Sequence, residues 1–74
     1  MPTVKVSCPI TGTVWKVVSS VGDHVSEDQA LVIVESMKME IPVAAPEDGV
    51  VEVIRVAEGE SVSEGDVVVV LRTD

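Results

Sequence analysis

The stretch Val6-Ser7-Cys8-Pro9-Ile10-Thr11-Gly12-Thr13-Val14 returns 37 residues later as Val43-Ala44-Ala45-Pro46-Glu47-Asp48-Gly49-Val50-Val51. The same offset lays Gly22 on Gly59, Val25-Ser26-Glu27 on Val62-Ser63-Glu64, and Val32 on Val69. Over the 30 positions from Val6 to Glu35 this makes 9 identities. Valine pairs count for little in so valine-rich a chain. The Pro9/Pro46, Gly12/Gly49 and Gly22/Gly59 pairs and the Ser-Glu pair carry the argument. Two copies are too few for a solenoid, which needs about three or more repeats. Halves too small to bury an apolar face alone must pack on each other, which predicts a two-sheet sandwich or flattened barrel with approximate two-fold symmetry.

Composition agrees. Of 74 residues, 19 are valine and 4 isoleucine, whereas leucine and alanine together supply 6. β-Branched side chains are stiff at χ1 and suit a pleated sheet, so the chain reads as all-β and as one domain over residues 1–74. The charge balance excludes several roles. Five Lys and Arg against 13 Asp and Glu give a net charge of −8, which a nucleic-acid backbone would repel. No apolar run reaches the roughly 18 residues of a membrane helix, and no basic-then-apolar leader opens the chain. The lone Cys8 forms no internal disulfide, which fits a reducing, cytoplasmic setting. With one Cys, one His and no clustered pair of catalytic groups, the sequence offers no catalytic residue, no metal site and no complete enzyme.

Apolar runs and the punctuation between them predict strands at Thr3–Ser7, Thr13–Ser19, His24–Val25, Ala30–Glu35, Met39–Val43, Val50–Val56, Ser61–Val62 and Val67–Arg72. Gly22-Asp23, Gly59-Glu60 and Gly65-Asp66 supply permissive turns. Asp28 stands where Gly65 stands in the second half, and Asp tolerates the left-handed region better than most residues. The uncharged run Val67–Val70 is flanked by Asp66 and Arg72 as gatekeepers against aggregation.

One place breaks the local rules. The strands Ala30–Glu35 and Met39–Val43 are joined only by Ser36-Met37-Lys38. A hairpin this tight calls for Asn-Gly or Asp-Gly, residues at ease with positive φ. Here it carries a long cation between two large apolar side chains, bracketed by Glu35 and Glu40. Departures from turn chemistry at an otherwise well-specified site mark function. From the residues alone, the competing reading is equally good: Met37 and Met39 as core gap-fillers and Lys38 as a solvated surface lysine.

The run Glu35-Ser36-Met37-Lys38-Met39-Glu40 resembles the biotin-acceptor motif of biotin carboxyl carrier domains, whose centre is Met-Lys-Met. Gly12-x-Val14, Gly22-Asp23-x-Val25, Ala30-Leu31, Ala45-Pro46-x-x-Gly49-x-Val51, Gly59-Glu60-x-Val62 and Gly65-Asp66-x-Val68 also resemble the biotinyl/lipoyl attachment family, and the likeness covers essentially the whole chain. It implies a flattened β-barrel (a barrel-sandwich hybrid) of two four-stranded antiparallel sheets, with the lysine at the crossover between quasi-symmetric halves. It implies that a biotin protein ligase joins biotin to Lys38 as an amide, with Met37 and Met39 marking the hairpin for that ligase. A biotin carboxylase would then load a carboxyl group, and a carboxyltransferase would pass it on, commonly to an acyl-CoA. The short link from Val17 to Gly22 leaves no room for the thumb insertion of some biotin carriers.

The remaining residues receive milder readings. Glu35 and Glu40 are candidate flank contacts that orient the lysine or aid recognition. Pro46 and Gly49 open a loop that mirrors Pro9 to Gly12. Trp15 faces outward, because it matches Glu52 across the repeat. His24 falls in a turn without a catalytic role, and Cys8, matching Ala45, is a small buried residue. Two rival functions remain: a lipoyl carrier, with lipoate on Lys38, serving a 2-oxoacid dehydrogenase or glycine cleavage system; and an unmodified interaction module. The isolated chain is expected to be a monomer.

Overall fold

Every apolar run becomes a strand in the computed structural model, which describes residues 2–73; the expected domain limits at 1 and 74 lie outside that range. The strands are β1 (Thr3–Ser7), β2 (Gly12–Val17), β3 (His24–Val25), β4 (Ala30–Ser36), β5 (Met39–Ala44), β6 (Gly49–Ile54), β7 (Ser61–Val62) and β8 (Val67–Arg72). His24 therefore lies in a short strand rather than in a turn. β2 stops two residues before the expected Ser19. There the Val18 N–H and the Ser19 hydroxyl both donate to the Leu31 carbonyl, at 3.0 and 3.1 Å, and the chain leaves for the other sheet. β6 ends early in the same way, at the bond from Arg55 N–H to Val68 O, 2.8 Å.

One antiparallel sheet has the order β1-β8-β6-β3 and the other β5-β4-β2-β7. Exchanging the two halves of the sequence converts either order into the other. Registers follow: Val14 pairs with Val34 as Val51 pairs with Leu71, and Val43 pairs with Val32 as Val6 pairs with Val69. Each half sends two strands to each sheet, so neither sheet is complete without both halves.

Leu31, Val32, Val34, Val68, Val69 and Leu71 are wholly buried and, with Val14 and Val51, fill the space between the sheets. Each such side chain contributes about 1.5–3 kcal/mol of hydrophobic burial. The Val67–Val70 run lies in β8, paired on both edges, which removes the aggregation hazard of an exposed strand. Cys8 is buried as expected, and its thiol donates to Ile10 O at 2.9 Å. Trp15 is 43% exposed, for a reason the repeat only hinted at. The register slips between Val14 and Lys16, leaving Trp15 on a bulge, and slips identically between Val51 and Val53 at Glu52. Bulged residues leave the ladder and bend the strand.

Two glycine positions are fixed by close approach. A Cβ on Gly49 would stand 2.8 Å from the Arg72 carbonyl oxygen, and one on Gly12 would collide with the Glu35 carbonyl oxygen. These symmetric contacts let β2 lie tightly against the end of β4, and β6 against the end of β8.

Candidate functional site

β4 is held on both sides almost to its end: Glu35 pairs with Thr13 of β2 and with Glu40 of β5, and Ser36 pairs with Met39. The connection beyond is two residues, Met37 and Lys38, with φ of 51° and 65°. Two consecutive left-handed residues are what a two-residue hairpin of the favoured twist requires, and side chains other than Gly, Asn or Asp pay strain there. The mismatch read from the sequence is thus real strain at a turn whose base is rigid.

The side chains at this tip face solvent. Met37 is 91% exposed and Met39 65%, which overturns their reading as core gap-fillers. Glu35, Lys38 and Glu40 are exposed as well. Among the described residues, no side-chain hydrogen bond involves Lys38. Its amine therefore sits on a flexible four-carbon stem above a fixed base, open to an enzyme that encloses the tip. A primary amine so placed can attack an activated carboxyl group and carry the product as an amide. A long acyl group fits here without displacing any packed side chain, because nothing covers the tip.

Pro2 and Thr73 occupy the symmetry-related position, where the Thr73 N–H donates to Pro2 O at 2.9 Å. β1 runs from that end toward the other, and β2 begins there beside Glu35, so the tip and the Pro2–Thr73 pair lie at opposite ends of a body 36 Å long. An open groove lined by His24, Glu47, Asp48, Arg72 and Thr73 lies at the Pro2–Thr73 end, away from Lys38.

All five residues singled out in the sequence thus meet at one tip: Glu35, Met37, Lys38, Met39 and Glu40. Glu35 and Glu40 occupy facing positions of the β4–β5 ladder and make no hydrogen bond to the lysine among the described residues. What sequence reading missed was Gly12, whose bare Cα lets β2 brace the base of the hairpin. Its recurrence as Gly49 was the available signal.

A family model described as "Biotin-requiring enzyme" matches residues 2–71. The chain is 44% identical over 66 residues to the "Biotin/lipoyl attachment protein" of Bacillus subtilis, covering 89% of this chain and 90% of that one. It is 48% identical over 58 residues to the "Biotin carboxyl carrier protein" of Streptococcus mutans, covering 78% of this chain and 45% of the relative. Among solved structures, the Kluyveromyces lactis urea carboxylase superposes with a TM-score of 0.93 at 36% identity, over 97% of this chain and 6% of that one. The chain thus spans nearly all of one relative, about half of another and a small part of a large carboxylase.

Proposed function

The chain belongs to the biotin/lipoyl attachment family, and from that premise we propose that it is a biotin carboxyl carrier whose Lys38 amine holds the cofactor. The observation that carries this reading is the two-residue turn that lifts Lys38 between two exposed methionines on a rigid hairpin. When bound, biotin supplies a ring that takes up a carboxyl group at one active site and gives it up at another. The chain's own work is mechanical. β4 and β5 fix the base of the arm, while the lysine stem leaves its end free to swing. Tethering keeps the cofactor at high effective concentration in each partner site without new contacts. Amide formation removes the Lys38 charge, taking the net charge from −8 to −9.

The partners that fit are a biotin protein ligase, a biotin carboxylase and a carboxyltransferase, with an acyl-CoA as the acceptor class. Met37 and Met39 give the ligase an apolar mark, and Glu35 and Glu40 an acidic flank. The carrier is itself non-catalytic. It acts as a cytoplasmic monomer: its single buried thiol suits a reducing compartment, and its net charge opposes self-association. The second reading, a lipoyl load on Lys38, is not favoured over biotin; the Bacillus subtilis relative, whose name covers both groups, keeps it as the alternative to be tested.

Intact mass after incubation with biotin and lipoate ligases together, followed by peptide mapping, tests both. A gain of about 226 Da on Lys38 is the expected biotinyl amide, and about 188 Da would be lipoyl. A folded Lys38→Arg protein that still gains biotin would overturn the assignment.

A further inference from the structure

Valine supplies more than half of the chain's apolar side chains, and among the described residues its only thioethers are Met37 and Met39. Both stand in solvent on either side of Lys38, at 91% and 65% exposure. Among the described residues the other sulfur is shut away: Cys8 is 1% exposed, with its thiol hydrogen-bonded to Ile10 O. Among the described residues, an oxidant in solution therefore meets exposed reduced sulfur only at the attachment hairpin. Leucine or valine could supply an apolar tip of similar size without this sensitivity.

We propose that Met37 and Met39 form a reversible oxidation site that switches off loading of Lys38, an inference that rests on the reading of this hairpin as a ligase substrate. A peroxide is the oxidant class. A sulfur lone pair attacks one peroxide oxygen, the O–O bond breaks, an S–O bond forms and the other oxygen leaves as water. The sulfur loses two electrons, which the peroxide gains. A methionine sulfoxide reductase, drawing on a thiol pair, removes the oxygen again as water. The sulfoxide turns a flexible apolar side chain into a polar one with a strong acceptor oxygen. An enzyme that encloses the tip must then strip water from that oxygen without a donor built to receive it, so recognition of the hairpin fails. Lys38 is chemically untouched, so the block acts on docking and not on the amine. Biotin already in place would survive, because its amide needs no further visit from the ligase.

The test is the rate of biotin transfer by a purified ligase to the full chain before and after hydrogen peroxide, with peptide mapping of the added oxygens. Oxidation is expected at Met37 and Met39 and not at Cys8. Transfer should fall by about tenfold or more, the consequence of burying one uncompensated polar group. Methionine sulfoxide reductases of both stereospecificities should restore it. A chain carrying Met37→Leu and Met39→Leu should load at the same rate with or without peroxide. Untreated chain that loads while the doubly oxidised chain loads equally fast overturns the switch alone. A loss of rate that the reductases do not reverse overturns it too. Untreated chain that takes no biotin overturns the carrier reading, and the switch with it.

Discussion

Glu35 and Glu40 face each other across the β4–β5 ladder, one pair below the closing Ser36–Met39 pair. Like charges directly opposite on antiparallel strands destabilise them, by roughly 0.2–1 kcal/mol relative to a neutral pair. Glu40→Lys should therefore raise stability by about 0.5 kcal/mol at low salt, with the gain shrinking as ionic strength rises. Urea midpoints at two salt concentrations check this. The same variant should load biotin more slowly if the acidic flank serves recognition. Unchanged loading would reduce Glu40 to a solvated surface charge.

Gly12 and Gly49 make a matched pair of experiments. Each alanine must push a carbonyl aside, on Glu35 or on Arg72, and each should cost about 1–3 kcal/mol. Their effects on loading should differ. Gly12→Ala strains the base of the lysine hairpin, so biotin transfer should slow even at temperatures where the protein is folded. Gly49→Ala strains the end that holds the Pro2–Thr73 pair, and transfer should be unchanged. Equal slowing by both would mean that the brace behind Glu35 has no special part in presenting Lys38.

Met37 holds a left-handed φ of 51° in the turn, a conformation that costs an ordinary L residue about 1–2 kcal/mol. Asparagine tolerates that region and is favoured in such hairpins. Met37→Asn is expected to raise thermal stability, by about 1 kcal/mol at most, while lowering the rate of biotin transfer. Stability and loading moving in opposite directions would mark methionine as kept for recognition at the expense of the fold. A variant that is both more stable and loaded normally would show that only the lysine and the turn shape are read.

Much of this was legible because the chain punctuates itself. Valine runs and paired glycines placed all eight strands, and a turn without turn residues marked the tip. Three features could not be read. The repeat says that the halves pack together, but not that each sends two strands to each sheet, because pairing is decided by contacts between residues far apart in sequence. The bulges at Trp15 and Glu52 leave no trace in alternation beyond a slip of one residue. The exposure of Met37 and Met39 was undecided by residue type, since thioethers serve equally as core filler and as contact surface. Only the tight pairing of Ser36 with Met39, which leaves two residues for the turn, puts them outside.

The quasi-symmetry itself can be tested where the halves disagree. Val18, Val21 and Val53 are exposed at 47%, 64% and 39%, and their counterparts at the 37-residue offset are Arg55, Glu58 and Lys16. The fold thus accepts charge at these positions in one half and valine in the other. The Glu58 carboxylate lies across β2, where Oε2 accepts from the Val17 N–H at 3.3 Å. Under the symmetry, a carboxylate at position 21 reaches toward the equivalent N–H of Ile54. Val21→Glu should therefore fold normally, with stability within about 0.5 kcal/mol of the parent, as for surface substitutions generally. Denaturant midpoints check this directly. A loss above about 1 kcal/mol would mean that Val21 is packed more closely in solution than its exposure indicates, and that the two halves have diverged in packing as well as in charge.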